Sequence, residues 1–146
     1  MTEHLQRLFE MAARLASSEA VAATETGFSL VLPVAKLDFF ATGGHSAAAY
    51  CRAKVAGFGA AELPPSVTEA ALRGNFFWRG TDGGVLSLNA AENAVYLTDR
   101  FDEGAFAEDG DFQDYLNGFL RTLHDWRARW SDAMPPSEEG KEVQPW

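Results

Sequence analysis

The chain has 146 residues, 47% of them apolar, with a formal net charge of -9 and a pI near 4.7. The length fits one domain, and the apolar share supports a core without disulfide or metal staples. The acidic balance argues against nucleic acid, whose phosphates require clustered Lys and Arg, and against anionic membrane surfaces.

The charge is uneven. From Asp99 to the end, 12 acids stand against 5 bases; residues 1–98 hold 9 and 7. The back third is therefore either a solvated surface and tail or an acidic face that steers a basic partner. Cys51 is the single cysteine, so no intrachain disulfide forms. The start, Met1-Thr2-Glu3-His4, lacks the basic n-region of a signal peptide, and no run of 18 apolar residues exists. A cytoplasmic location is the default expectation.

Leu5, Leu8, Phe9, Ala12, Leu15 and Ala16 recur at helical spacing, with Arg7, Glu10 and Arg14 off the stripe. This predicts an amphipathic helix from Thr2 to about Ser17, with Thr2 as N-cap. Gly27 to Pro33 is short, rich in β formers and closed by proline, hence a strand. Leu37 to Thr42 reads as a second strand and Gly43-Gly44 as a turn. Ala47 to Val55 reads as helix by alanine content. Tyr50, Arg52 and Lys54 alternate with Ala49, Cys51, Ala53 and Val55, and glycines bracket the segment, which favours a strand.

Leu63-Pro64-Pro65-Ser66 marks a stop and a start. Ser66 is expected to cap a short helix from Val67 to Leu72, with Glu69 at the capping-box position and Gly74-Asn75 as a left-handed end. Val85 to Leu88 and Val95 to Leu97 flank a hairpin-sized connection. Asp111 is expected to cap a last helix whose stripe is Phe112, Tyr115, Leu116, Phe119, Leu123, Trp126 and Trp130. Residues 133–146 are polar and Pro-containing and are expected to be a disordered tail after a single domain over residues 1–132. The fold class is α+β: an antiparallel sheet of about five strands with helices packed on it, in the order helix, three strands, short helix, two strands, long helix.

No reaction centre stands out. His4, His45 and His124 lie far apart, outside any ligand spacing, and neither H-E-x-x-H nor a paired C-x-x-C occurs. Cys51 has no marked base beside it, and Ser29, Ser46 and Ser87 lack a G-x-S-x-G setting. The acids between Asp99 and Asp111 miss the alternating ligands and terminal Glu of a calcium loop. No metal or cofactor is expected. The aromatics say more. Phe39-Phe40 and Phe76-Phe77-Trp78 are adjacent, and in a strand neighbours point to opposite faces. Either one subunit covers both faces or one face is left for a partner.

The segments Ala70-Ala71-Leu72-Arg73-Gly74-Asn75, Gly83-Gly84-Val85-Leu86-Ser87-Leu88 and Ala94-Val95-Tyr96-Leu97-Thr98-Asp99-Arg100 carry a likeness. Together with the late Trp126-Arg127, they resemble the class I type III secretion chaperones, the Tir-chaperone-like family. The likeness spans roughly residues 3 to 132; residues 36–55 depart from the family's usual alternating strands. The resemblance implies a homodimer that binds the N-terminal segment of a secreted effector in extended form, without ATP hydrolysis. It places effector grooves at Leu8, Phe9 and Leu30, and a dimer contact at Leu72, Phe76, Leu86 and Leu88; each of these is at least as readable as core, Leu8 and Leu86 most of all. Two rivals stand beside it: a regulatory module of the same fold that sequesters a folded or anti-activator partner, and a small enzyme assembled from Asp99, Asp102, His124 and Tyr96.

Overall fold

The computed structural model describes residues 1–42, 48–102 and 104–131, the side chain of Ser18 excepted. The Gly43-Gly44 turn, His45 and the tail of residues 133–146 lie outside the described residues.

Helix α1, Glu3–Leu15, starts where Thr2 Oγ1 accepts the Leu5 N–H at 3.2 Å, and it buries Leu5, Leu8, Met11 and Ala12. A 3-10 turn at Ser18–Ala20 leads into the first of six antiparallel strands among the described residues. These are β1, Val21–Ala23; β2, Gly27–Val31; β3, Lys36–Phe40; β4, Ala49–Gly57; β5, Val85–Asn89; and β6, Ala94–Phe101. Their order across the sheet is β1-β2-β3-β4-β6-β5. Helix α2, Pro65–Gly74, and a 3-10 turn, Phe76–Trp78, fall between β4 and β5; helix α3, Asp109–Arg129, closes the domain.

Helices α1 and α3 cover one face of the sheet. Alternate strand residues point into that interface: Phe28 and Leu30, Leu37 and Phe39, Cys51, Ala53 and Val55, Val95 and Leu97. Phe28 and Phe39 stack at 4.7 Å, and Phe112 of α3 meets Phe39 edge-on. The alternation in residues 49–55 resolves as a strand because Ala49, Cys51, Ala53 and Val55 are all buried and small enough for α3 to lie close. The opposite face is polar and internally paired. Ser29 Oγ donates to Asp38 at 2.6 Å, Tyr96 donates to Glu92 at 2.7 Å, and Lys54 sits 3.3 Å from Glu92. Where β4 bulges between Lys54 and Ala56, the Arg127 guanidinium donates to the Lys54 carbonyl at 3.0 and 2.8 Å and to the Val34 carbonyl at 2.8 Å.

Several sequence expectations change. The sheet has six strands, because Val21–Ala23 pairs with Phe28–Leu30. Helix α2 starts one residue before Ser66, after Pro64, with no side-chain cap. Proline inside the first turn needs no partner for an N–H it lacks, so the expected Ser66 cap is unnecessary. The helix runs on through Gly74, and Asn75 is right-handed at φ -76°. Gly74 is required for packing: a Cβ there would lie 2.4 Å from Trp126 Cζ2. Helix α3 is capped by Glu108; Asp111, expected as the cap, is the N3 residue that accepts the Glu108 N–H at 3.1 Å.

Candidate interaction surface

The least compensated surface lies where α2 gives way to β5. Val67 anchors the inner side of α2, and Leu72 on the outer side is 68% exposed. The next three aromatics, Phe76, Phe77 and Trp78, are 61%, 71% and 56% exposed. Leu88 on β5 is close to half exposed; Val85, also exposed, points to the other face of the strand. Large apolar side chains bared together mark contact surfaces.

The backbone holds these aromatics outward at a cost. Phe77 (φ 47°, ψ 33°) and Trp78 (φ 57°) are left-handed, which costs bulky residues about 1–3 kcal/mol each. Four backbone hydrogen bonds offset the strain: Trp78 N–H to Asn75, Arg79 N–H to Phe76, Gly80 N–H to Gly74 and Thr81 N–H to Trp78. Trp126 Nε1 donates to the Gly80 carbonyl at 2.7 Å and pins the turn to α3. Asn75 pins it to β5 through two bonds with Leu86, at 2.9 and 2.8 Å. A shallow groove of about 520 Å³ runs alongside, lined by Glu69, Ala70, Arg73, Trp126 and Arg129.

The expected site residues divide. Leu72, Phe76 and Leu88 are exposed, whereas Leu86 is buried, at 4% exposure, on the strand that α2 contacts. Leu8 and Leu30 are fully buried between α1 and the sheet, and their side chains belong to the subunit core. Phe9 is half-buried, edge-on to Phe28 at 5.6 Å. Val31 and Val34, exposed around the β2–β3 turn, lay outside the sequence-derived set. Phe77 and Trp78 were marked only by their adjacency to Phe76.

The ionisable groups proposed for an enzyme are dispersed. Tyr96 gives its hydroxyl to Glu92 on the polar sheet face, and burial pushes its pKa far up. Asp102 is exposed and paired with Arg100; His124 is exposed on α3. Asp99 lines a recess of about 150 Å³ with Asp82, Asp114 and Tyr115, and burial raises its carboxyl pKa. Burial also pushes the Cys51 thiol well up, which removes thiolate character. His4 is buried edge-on to Phe101, and among the described residues neither ring nitrogen has a hydrogen-bond partner. Among the described residues no group of three or more His, Cys, Asp or Glu is arranged to hold a metal, and no helix is long and apolar enough to cross a membrane.

The profile of the Tir chaperone protein (CesT) family matches residues 55–127, half of the chain. This chain belongs to that family. Its fold is also that of chains in three solved complexes. It is similar to a chain of the HopA1–SchA chaperone–effector complex, with 11% identity, a TM-score of 0.61, and 86% of this chain and 94% of that one covered. It is similar to a chain of the ExsC–ExsE complex, with 14% identity, a TM-score of 0.62, and 92% and 98% covered. A third likeness is to the heterodimeric ExoU–SpcU complex from the type III secretion system of Pseudomonas aeruginosa, with 18% identity, a TM-score of 0.56, and 89% and 99% covered. No curated protein sequence matches. The family match runs from Val55 through α2, the exposed turn, the β5–β6 hairpin and most of α3, so it contains the whole apolar surface described above.

Proposed function

We propose that the protein is a cytoplasmic type III secretion chaperone, a binding protein and not an enzyme. It acts as a homodimer and holds the N-terminal segment of a secreted effector in extended form without ATP hydrolysis. The observation that carries this reading is the strained, exposed Phe76-Phe77-Trp78 turn beside Leu72 and Leu88 in a member of this family.

Apolar surface of this kind is costly in water at about 25 cal/mol per Å². A backbone that spends strain to expose it is organised for contact. Leu72, Phe76 and Leu88 supply the contact with a second subunit, with Leu86 as its buried support. The effector side is the α1–β2 end, where Phe9 lies half-buried against Phe28 and Val31 and Val34 are exposed around the β2–β3 turn. An extended guest lays alternate side chains on such a surface, and the contact must be large to offset the ordering entropy of the guest.

Co-purification from the native bacterium tests the reading. An effector captured through its first residues, with that segment protected from protease, supports it. Capture of a compact regulator instead shows the sequestering module of the same fold.

A further inference from the structure

The exposed surface lies on a sheet edge. β5 is the outermost strand on its side, with β6 along its inner edge only. In an antiparallel ladder, successive residues turn their N–H and C=O to opposite sides. The contacts of Leu86 with Asn75 therefore put Gly84, Leu86 and Leu88 on the outer side of β5. A row of free backbone groups among β formers and bare aromatics invites a pairing strand, and such pairing is open-ended.

The chain closes most of this row itself. The Asn75 carboxamide lies along Leu86: Nδ2 donates to the Leu86 carbonyl at 2.9 Å and Oδ1 accepts the Leu86 N–H at 2.8 Å. That is the pair of bonds a neighbouring strand residue makes. Thr81 treats Gly84 in the same way, its carbonyl accepting the Gly84 N–H at 3.1 Å and its hydroxyl donating to the Gly84 carbonyl at 2.6 Å. Leu88 alone is left, too little for a ladder. At the opposite end of the sheet, the ladder with β2 turns the N–H and C=O of Val21 and Ala23 outward, and neither residue has a backbone partner on that side among the described residues.

We propose that Asn75 is an edge guard: it holds β5 closed to a pairing strand, so that the apolar surface beside it meets a partner through side chains. This closure of β5 holds for any partner and is tested without one.

Amide hydrogen exchange with light scattering on the wild type, Asn75→Ala and Asn75→Asp decides it. In the wild type the Leu86 amide is protected. Asn75→Ala, with unchanged circular dichroism, is expected to exchange Leu86 about tenfold faster, the worth of one hydrogen bond. It is also expected to form species heavier than the wild type as concentration rises. Asn75→Asp keeps the acceptor but loses the donor, so it retains amide protection and associates to an intermediate degree. Wild-type exchange and wild-type mass in Asn75→Ala overturn the proposal. If Asn75→Ala does not fold, Asn75→Asp decides: a raised mass supports the guard and a wild-type mass overturns it.

Discussion

Gly74→Ala sets two physical effects against each other at the last residue of α2. By helix propensity alone, alanine gains about 1 kcal/mol over glycine. The structure dictates the opposite sign. An alanine Cβ would stand 2.4 and 2.6 Å from Trp126 Cζ2 and Cη2, and the Gly74 Cα already lies against Gly80. Trp126 cannot swing aside cheaply. It is buried, packed at a tilt against Trp130 with ring centroids 5.4 Å apart, and held by its indole N–H on the Gly80 carbonyl. Overpacking costs about 1–3 kcal/mol and the lost hydrogen bond about 1 kcal/mol. Set against the propensity gain, the net destabilisation is about 2 kcal/mol, roughly 6 °C in Tm for a domain of this size. Thermal and urea unfolding followed by tryptophan fluorescence read this directly. A Tm equal to or above that of the wild type would show that Gly74 serves no packing role and that the turn beyond it is not tied to α3 through Trp126.

Two further changes probe the frame around the surface. Burial raises the Asp99 carboxyl pKa, so the folded state binds its proton more tightly than the unfolded state. Stability from this group is full below the ordinary carboxyl pKa and is lost as pH rises through the elevated one. Asp99→Asn should therefore stabilise the protein at neutral pH and flatten its stability between acid and neutral pH; urea midpoints across that range that match the wild type would contradict this. Arg127→Met removes charged donors from the carbonyls of Lys54 and Val34 at the β4 bulge, and a loss of about 2–3 kcal/mol is expected. Equilibrium unfolding within 0.5 kcal/mol of the wild type, an approximate limit for neutral surface changes, would show that the bulge needs no such clamp.

Much of the fold was legible because burial imposes a period. The stripes of α1 and α3 and the alternation of β4 are read straight from the spacing of apolar residues, and the α3 stripe is the set that packs in the core. β1 left no such trace: Val21-Ala22-Ala23 is too short to show alternation, and only its pairing with β2 makes it a strand. Gly74 was misread because glycine serves two ends, free φ and absent volume, and only the position of Trp126 tells which. The adjacent aromatics divide: Phe39 is buried and Phe40 stacks on Tyr50 within the sheet, whereas Phe76–Trp78 is exposed and forms a turn, not a strand. The site itself was less legible. Periodicity shows that Leu8, Leu30 and Leu86 face something apolar; it does not show whether that is the same subunit or a partner, and the packed structure places all three inside. Asn75 was legible only as part of the helix end; its bonds to Leu86 depend on a strand eleven residues later.

The central claim is that the Leu72–Phe76–Leu88 surface joins two copies and that the pair holds an unfolded guest. Sedimentation equilibrium of the wild type and of Leu72→Asp at about ten to fifty micromolar, where obligate dimers stay associated, tests it most directly. The wild type should have twice the chain mass, and Leu72→Asp should be monomeric or insoluble. A strictly monomeric wild type, or a Leu72→Asp protein that dimerises as the wild type does, would contradict the account.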